Sequence, residues 1–260
     1  MKKLFIFIVL CLILSAVFAD DVPVAGRLWL YGNVSLGLSK SVSWLTIVGT
    51  RYEFSRAKTE EQAKEFYFNE FFTGPMYLTK VAGFKVVLPV LYYYMGFPMK
   101  SLDKYTYSHN IEFSPVLIYR IKKFVVYNRF IFHNTVYSTF YEEVMNKSEW
   151  NKGYSLLLRW KIMGQYLINE KLTFEAAVEP FIGLIEDDKM PAVTGPGFSE
   201  KGLDMNRVYA GFVYKLTKNL SVEANYVYET SFKKNEQDEK ELYQIAHYIF
   251  ITLKSGFKLY

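Results

Sequence analysis

The chain has 260 residues, a formal net charge of +5 at pH 7 and 51% hydrophobic residues. Aromatic residues make up 18% of it, while charged residues, at 22%, stay close to the ordinary value of ~25%. Apolar and charged residues must therefore be finely interleaved. This excludes a disordered chain, a collagen-like chain and a polytopic helical membrane protein.

The first nineteen residues have the layout of a secretory signal peptide. Lys2 and Lys3 precede an almost wholly apolar run, which ends at the small residue Ala19. Apolar stretches of roughly 7–15 residues in this position are too short to remain as membrane spans. We therefore expect residues 1–19 to be removed and residues 20–260 to form one domain. An uncleaved N-terminal anchor is the alternative.

The mature chain would contain no cysteine, because the single cysteine lies in the signal segment. This excludes a disulfide framework, a cysteine-based metal site and a thiol nucleophile. Loss of Lys2 and Lys3 lowers the net charge from +5 by two, to +3. That charge is spread along the chain and gives no footprint for nucleic acid.

Beyond residue 19, hydrophobic residues recur with a period of two. From Leu172 to Leu184 the even positions are apolar, whereas the odd positions include Glu175 and Glu179. The same alternation recurs in the stretches that begin near residues 28, 156, 208, 220 and 249. It predicts strands whose two faces meet different surroundings.

Tight and long connections alternate between these strands. Short turns are predicted near residues 39–41, 80–83, 122–123, 169–171 and 217–219, and long polar segments at residues 55–65, 98–104, 142–152, 186–204 and 233–240. Short turns at one end and long loops at the other are typical of outer-membrane barrels, whose tilted strands need ~9–11 residues. The sequence therefore predicts an all-β fold, a transmembrane antiparallel up-and-down β-barrel with short periplasmic turns and longer extracellular loops.

The number of strands is harder to predict. Eleven segments can be counted, whereas single-chain bacterial barrels have even numbers. We expect about twelve strands, with ten as the alternative: either residues 22–26 supply an extra first strand, or one segment between residues 42 and 79 lies outside the barrel. Residues 58–65 look helical and are predicted to form a loop turn. A β-sandwich or a lipocalin-like barrel stays possible, because alternation alone does not show which face points inward.

Charges of both signs occupy predicted inward positions on neighbouring strands. They are Glu112, Arg120, Arg129, His133, Arg159, Lys161, Glu175, Glu179, Arg207, Glu223 and Glu229. Pairing across strands would offset the cost of removing these charges from water. The pattern predicts either an ion-pair network that fills the lumen or a narrow hydrated path lined by fixed charges.

Several short motifs follow one another in a fixed order. They are Trp29, Gly74–Tyr77, Asn128–Phe130, Leu158–Trp160, Glu179–Phe181, Arg207–Gly211, Tyr226–Tyr228 and His247. In this order the chain resembles a family of small bacterial outer-membrane barrels known only as a domain of unknown function. The resemblance implies an outer-membrane location and an inward ladder of arginine and glutamate, but no reaction and no ligand. That family tends to repeat arginine at alternate positions, where this chain has single copies, Arg129 and Arg159.

Aromatic residues are predicted to anchor the barrel in the membrane interface. The candidates for this girdle are Tyr92, Tyr94, Tyr107, Tyr154, Tyr166, Tyr226 and Tyr228. The last residue, Tyr260, looks like the terminal aromatic that the outer-membrane assembly machinery reads. We expect the partners to be this machinery, outer-membrane lipid and lipopolysaccharide, with no nucleic acid, no cofactor and no metal.

Three histidines raise a rival, enzymatic hypothesis. Outer-membrane acyl hydrolases of the phospholipase and lipid A deacylase types pair a bilayer-facing histidine with a serine two residues later. His109, His133 and His247 are followed at that spacing by isoleucine, threonine and isoleucine, so no nucleophile accompanies the base. We therefore expect a non-enzymatic small passive channel or structural barrel. A hydrolase and a secreted soluble barrel that binds a small ligand are the alternatives.

Overall fold

The computed structural model describes residues 22–59, 63, 65–99, 104–138, 154–186 and 200–260. The predicted signal peptide lies outside these residues. No helix within them is long and apolar enough to cross a membrane. The strands are β1 (Val24–Gly37), β2 (Val42–Ala57), β3 (Glu65–Val81), β4 (Phe84–Met99), β5 (Lys104–Phe113), β6 (Val116–Ile121), β7 (Phe124–Ser138), β8 (Leu156–Leu167), β9 (Leu172–Ile185), β10 (Gly202–Lys215), β11 (Leu220–Lys234) and β12 (Lys240–Lys258).

These strands close into one barrel, which confirms the predicted all-β fold. Strands that follow one another around the wall pair in antiparallel fashion, and β1 closes the sheet by pairing in parallel with β12. β5 and β6 share one position: β5 pairs with the half of β4 near the long loops, β6 pairs with Lys85–Val87, and both pair with β7. The wall therefore has eleven strand positions.

The parallel closure follows from this odd number. When neighbouring strands alternate in direction, the first and last of eleven run the same way. The twelve segments agree with the predicted count, but the expectation of an even-numbered wall and the alternative of ten strands were wrong. The additional segment arises from an interruption at Ser114–Pro115. It does not come from residues 22–26, because Val24 already begins β1. Both segments between residues 42 and 79 belong to the wall.

The connections alternate as predicted. All five short turns lie at one end of the barrel, and the strand ends that the long connections join lie at the other. The predicted loop turn at residues 58–65 is described only in part. Lys58 and Thr59 bend away after β2, and Glu65 begins β3. β1 starts at the long-loop end and β12 finishes at the short-turn end, since Gly37 lies opposite Lys258.

The polar face of the strands points into the barrel. In β9, Glu175, Glu179 and Phe181 are buried, whereas Val178 and Leu184 are exposed. Exposed apolar side chains recur around the outer wall, for example at Leu30, Val48, Ile111, Val178, Phe212, Ile249 and Leu253. A lipocalin-like barrel would have its apolar face inside and its polar face outside, and a β-sandwich would have two separate sheets. Neither alternative describes this fold.

Prolines on neighbouring strands explain the interruption between β5 and β6. Pro75 in β3, Pro89 in β4 and Pro115 lie close together in the pairing of these strands, and none can donate a ladder hydrogen bond. The wall stays joined because Ser114 N donates to Pro89 O at 3.1 Å and Phe130 N donates to Pro115 O at 3.0 Å. These two hydrogen bonds hold β5 and β6 in line across the break, so the two segments occupy one strand position.

Candidate functional site in the barrel lumen

The predicted charge ladder lies on the lumen face. Seven of its members are buried: Glu112, His133, Glu175, Glu179, Arg207, Glu223 and Glu229. Arg129, Arg159 and Lys161 are half-buried. Arg120 is exposed, because it lies opposite Val125 next to the short turn of β6 and β7. It belongs to the rim of the barrel and does not join the interior contacts that the prediction gave it.

Glu229 is held between two arginines. Its carboxylate accepts a hydrogen bond from Arg207 Nε at 2.6 Å and lies 3.4 Å from Arg27 Nη1. Tyr248 also donates its hydroxyl proton to Glu229. Arg27 Nε in turn donates to Glu53 Oε2 at 2.8 Å. These charges are buried but paired, which is the condition under which ions tolerate removal from water.

A second group of charges centres on Arg159. Its Nη2 donates to Glu179 Oε1 at 2.9 Å, and its Nη1 lies 3.8 Å from Glu112 Oε1. Glu112 also accepts from His133 Nδ1 at 2.9 Å, and Tyr209 donates its hydroxyl proton to Glu179 at 2.5 Å. These contacts join inward-pointing side chains from five strands, β5, β7, β8, β9 and β10.

A third group was not predicted from the sequence. Arg51 Nη2 donates to Glu70 Oε1 at 2.6 Å, and the hydroxyl of Tyr93 donates to the same carboxylate. Arg51 Nε also donates to the hydroxyl of Tyr31 at 3.1 Å. Glu70 lies in an aromatic run, Phe66–Phe72, where apolar and polar residues do not alternate cleanly. Arg27, Glu53 and Arg56 were missed as well, although Arg27 lies on the face that the alternation marked as polar.

Aromatic rings connect these ionic groups. The Cζ atom of Arg51 lies 4.0 Å from the ring centroid of Trp29, and that of Arg207 lies 4.7 Å from it. Arg207 and Arg159 lie at 4.5 Å and 4.8 Å from the ring centroid of Phe181. Cation–π contacts of this kind strengthen when they are shielded from water.

The contacts form a closed circuit across the lumen, which we call the lumen belt. In order around the circuit its members are Tyr93, Glu70, Arg51, Trp29, Arg207, Phe181, Arg159, Glu112 and His133, each from a different strand. The circuit closes where the rings of Tyr93 and His133 meet at 5.5 Å. Glu229 and Tyr248 attach β11 and β12 to it.

The belt is largely shielded from solvent. The side chains of Glu179 and Glu112 are each 1% exposed, and that of Arg207 is 6% exposed. Barrels of about eight strands are filled by side chains, whereas those of about sixteen enclose an open channel. A wall of eleven positions lies between these cases. At the level of the belt, large charged and aromatic side chains from every position of the wall extend into the lumen.

A polar group lies on the short-turn side of the belt. Asn225 Nδ2 donates to Glu175 Oε1 at 2.8 Å and to Glu223 Oε1 at 2.9 Å. Gln165 Nε2 donates to the other oxygen of Glu175 at 2.8 Å, and Lys254 Nζ donates to Glu223. Both predicted ladder carboxylates therefore have partners from neighbouring strands.

The predicted aromatic girdle lies on the outer face, with one correction. Tyr92, Tyr154 and Tyr226 are exposed, and Tyr94, Tyr107 and Tyr166 are half-buried. Tyr228 is buried, because it packs against Ile245 at the long-loop end, so it does not present its ring to a surrounding interface. Tyr260 is exposed at the short-turn end.

Two histidines lie on the outer face beside tyrosines. His109 Nδ1 shares a 2.5 Å hydrogen bond with the hydroxyl of Tyr92, and His247 Nδ1 shares one of the same length with Tyr226. The third, His133, is inside the lumen and bonded to Glu112. The three histidines are therefore not gathered into one site.

Comparisons with known proteins give a family but no activity. The family model described as "Protein of unknown function (DUF2490)" matches residues 26–240. Among solved structures, the chain is similar to one titled "NanC porin structure in rhombohedral crystal form", with 12% identity and a TM-score of 0.43. That alignment covers 78% of this chain and 85% of the other. Comparison with curated proteins finds no match.

Proposed function

The chain belongs to the DUF2490 family of proteins of unknown function, and from its geometry we propose an outer-membrane β-barrel that acts as a narrow passive channel. The lumen belt carries this proposal. Charged and aromatic side chains from every position of the wall meet there, so a solute must pass between fixed charges of both signs. Such a path would admit ions and small polar solutes and exclude larger ones.

The outer wall supports a membrane location. All strands except β5 and β6, which share one wall position, are longer than the ~9–11 residues that a tilted strand needs to cross a bilayer. Apolar side chains such as Leu30, Val48, Phe212 and Ile249 are exposed on that wall, each by more than 40%. Exposed apolar area on this scale marks an interaction surface, and a closed barrel meets the requirement that hydrocarbon imposes on backbone hydrogen bonds.

Cell fractionation followed by gel migration with and without boiling tests this location. We expect the protein in the outer-membrane fraction, with a band that shifts only after heating, because a closed barrel resists detergent at room temperature. A soluble band that does not shift on heating would contradict the membrane proposal and support the secreted ligand-binding barrel instead.

Single-channel recording in planar bilayers tests conduction. We expect small but reproducible unit conductance for the native barrel. Arg159→Ala should change its size and its ion selectivity, because Arg159 joins Glu112 to Glu179 in the belt. Arg120→Ala removes the same charge at the exposed rim and should have a smaller effect.

The outcome also separates a channel from a structural barrel. Folded, heat-modifiable protein that never conducts would overturn the channel while leaving the membrane barrel in place. Equal conductance and selectivity in native protein and Arg159→Ala would show that the belt is not the constriction.

We propose that the barrel is not an enzyme. The hydrolase alternative needs a bilayer-facing histidine beside a serine, whereas His133 is inside the lumen and bonded to Glu112. His109 does face outward, but the hydroxyl at its Nδ1 is the phenol of Tyr92. Release of fatty acid from phospholipid or lipopolysaccharide by the pure folded barrel, lost in His109→Ala, would contradict this proposal.

A further inference from the structure

Two cations in the interior of the lumen, away from its rim, have no carboxylate partner among the described residues. Arg129 and Lys161 lie directly opposite each other on β7 and β8. Neither forms an ion pair with any residue in the described part of the chain. The remaining lumen cations are all paired: Arg27 with Glu53 and Glu229, Arg51 with Glu70, Arg159 with Glu179 and Glu112, Arg207 with Glu229, and Lys254 with Glu223.

The hydrogen-bonding capacity of Arg129 is only partly used. Its Nη2 donates to Ser114 Oγ at 3.3 Å, a long contact with a neutral group. Its Nε is buried and has no hydrogen-bond partner within the part of the chain that the structure describes. A buried donor of a charged group that stays unsatisfied carries a large desolvation cost. The guanidinium therefore keeps a buried donor that no side chain or carbonyl of the described residues satisfies.

Lys161 has an aromatic neighbour in place of a carboxylate. Its Nζ lies 3.7 Å from the ring centroid of Tyr209. The nearby carboxylate, Glu179, is already bound by Arg159 at 2.9 Å and by the hydroxyl of Tyr209 at 2.5 Å. The ammonium keeps its three donors, which a π face does not fully satisfy.

The other carboxylates near the pair are also committed. Glu112 is bonded to His133 at 2.9 Å, Glu175 accepts from Asn225 and Gln165, and Glu223 accepts from Asn225 and Lys254. Each of these carboxylates lowers the positive electrostatic potential at Arg129 and Lys161 from a longer distance. Each already accepts a hydrogen bond from another side chain.

We propose that Arg129 and Lys161 form a binding site for a small oxyanion inside the barrel. The planar fork of an arginine matches the oxygens of a carboxylate, phosphate or sulfate, and a lysine adds a compact positive charge. Such an anion would neutralise two like charges that lie directly opposite each other on β7 and β8. This site goes beyond the proposed channel, because binding at it does not require that the barrel conducts.

Isothermal titration calorimetry on the folded barrel in nonionic detergent tests the site. Inorganic phosphate and acetate are titrated separately at constant ionic strength, so that tetrahedral and planar oxyanions are distinguished. We expect saturable binding of at least one of them to native protein. Arg129→Gln and Lys161→Gln should each weaken it tenfold or more. Arg120→Gln, a cation at the rim of the same lumen, should change it less than twofold.

Thermal unfolding provides a readout that a purely structural role would not produce. The bound anion should raise the midpoint temperature of unfolding of native protein, and it should raise that of Arg129→Gln much less. Without the anion, Lys161→Met should be at least as stable as native protein, because it removes a half-buried charge that has no ion pair among the described residues. If Arg129→Gln fails to fold, Arg129→Lys keeps the charge but loses the fork, and it should bind more weakly than native protein.

Three results would overturn the site. These are no saturable binding of either anion by native protein, equal binding by native protein and Arg129→Gln, or an equal loss of binding in Arg120→Gln. Since calorimetry needs no ion flow, a barrel that binds phosphate but never conducts would refute the channel and leave the anion site standing.

Discussion

Replacing Glu229 with glutamine is expected to destabilise the folded barrel by about 3–5 kcal/mol, the usual cost of breaking a buried ion pair. Glutamine has nearly the same shape, so the loss would come from charge and not from a cavity. Arg207, 2.6 Å from this carboxylate, would lose the one ion-pair partner that the structure gives it among the described residues. Arg27 would lose one carboxylate and keep its ion pair with Glu53. Urea unfolding in detergent, followed by tryptophan fluorescence, measures the difference.

A matched variant separates this effect from a change in net charge. Glu236 is exposed in the connection between β11 and β12, so Glu236→Gln alters the total charge equally. We expect it to change the free energy of unfolding by less than about 0.5 kcal/mol, as is usual for surface substitutions. Equal stability of the two variants would mean that the interior charges do not hold the barrel together.

Much of the fold could be predicted because a barrel wall repeats one simple rule. Alternating side chains point to opposite faces, and the clean alternation in β9, β10 and β11 identified the inward residues Glu179, Arg207 and Glu229. The same rule does not give the number of strands. Ser114–Pro115 divides one wall position into two segments, and only the pairing of both with β4 and β7 shows that the wall has eleven.

Contacts across the lumen could not be predicted in the same way. Arg27 and Glu229 are 202 residues apart in the chain, and Asn225 and Glu175 are 50 apart. Strand alternation gives the face of a residue, but the distance that its side chain spans depends on the closure and tilt of the barrel. Strand alternation therefore predicts which charges face the lumen, whereas only the structure shows the order in which they join and the aromatic rings between them.

The members that escaped prediction share a local cause. Glu70 lies in a run of aromatic residues, Phe66–Phe72, and Trp29 has apolar neighbours on both sides, so neither stands out in an alternating pattern. Trp29 entered only as one piece of a family resemblance. In the structure it is 3% exposed and lies between two arginines in the belt. Trp29 therefore has little signal in the sequence, although its ring joins two arginines of the belt.

Trp29→Ala should accordingly have the largest effect on passage through the barrel. The indole contacts Arg51, Arg207 and the ring of Tyr248, 4.2 Å away, so its removal breaks the belt at its aromatic centre. We expect a several-fold rise in unit conductance, together with a loss of stability of about 3–5 kcal/mol, as for other buried large-to-small substitutions. Single-channel recording and urea unfolding measure the two effects on the same preparation.

Trp160→Ala is the matched control, because it removes the same side chain from the outer wall. Trp160 is 37% exposed and donates its indole N–H to Asn128 Oδ1 at 2.7 Å, so it does not reach the lumen. We expect conductance as in native protein. A rise in both variants would reflect general loosening of the wall, and no rise in Trp29→Ala would mean that the passage is closed at another level. Only a rise in conductance that is confined to Trp29→Ala identifies the belt as the constriction. The two variants lose the same indole, one from the lumen face and the other from the outer face of the wall.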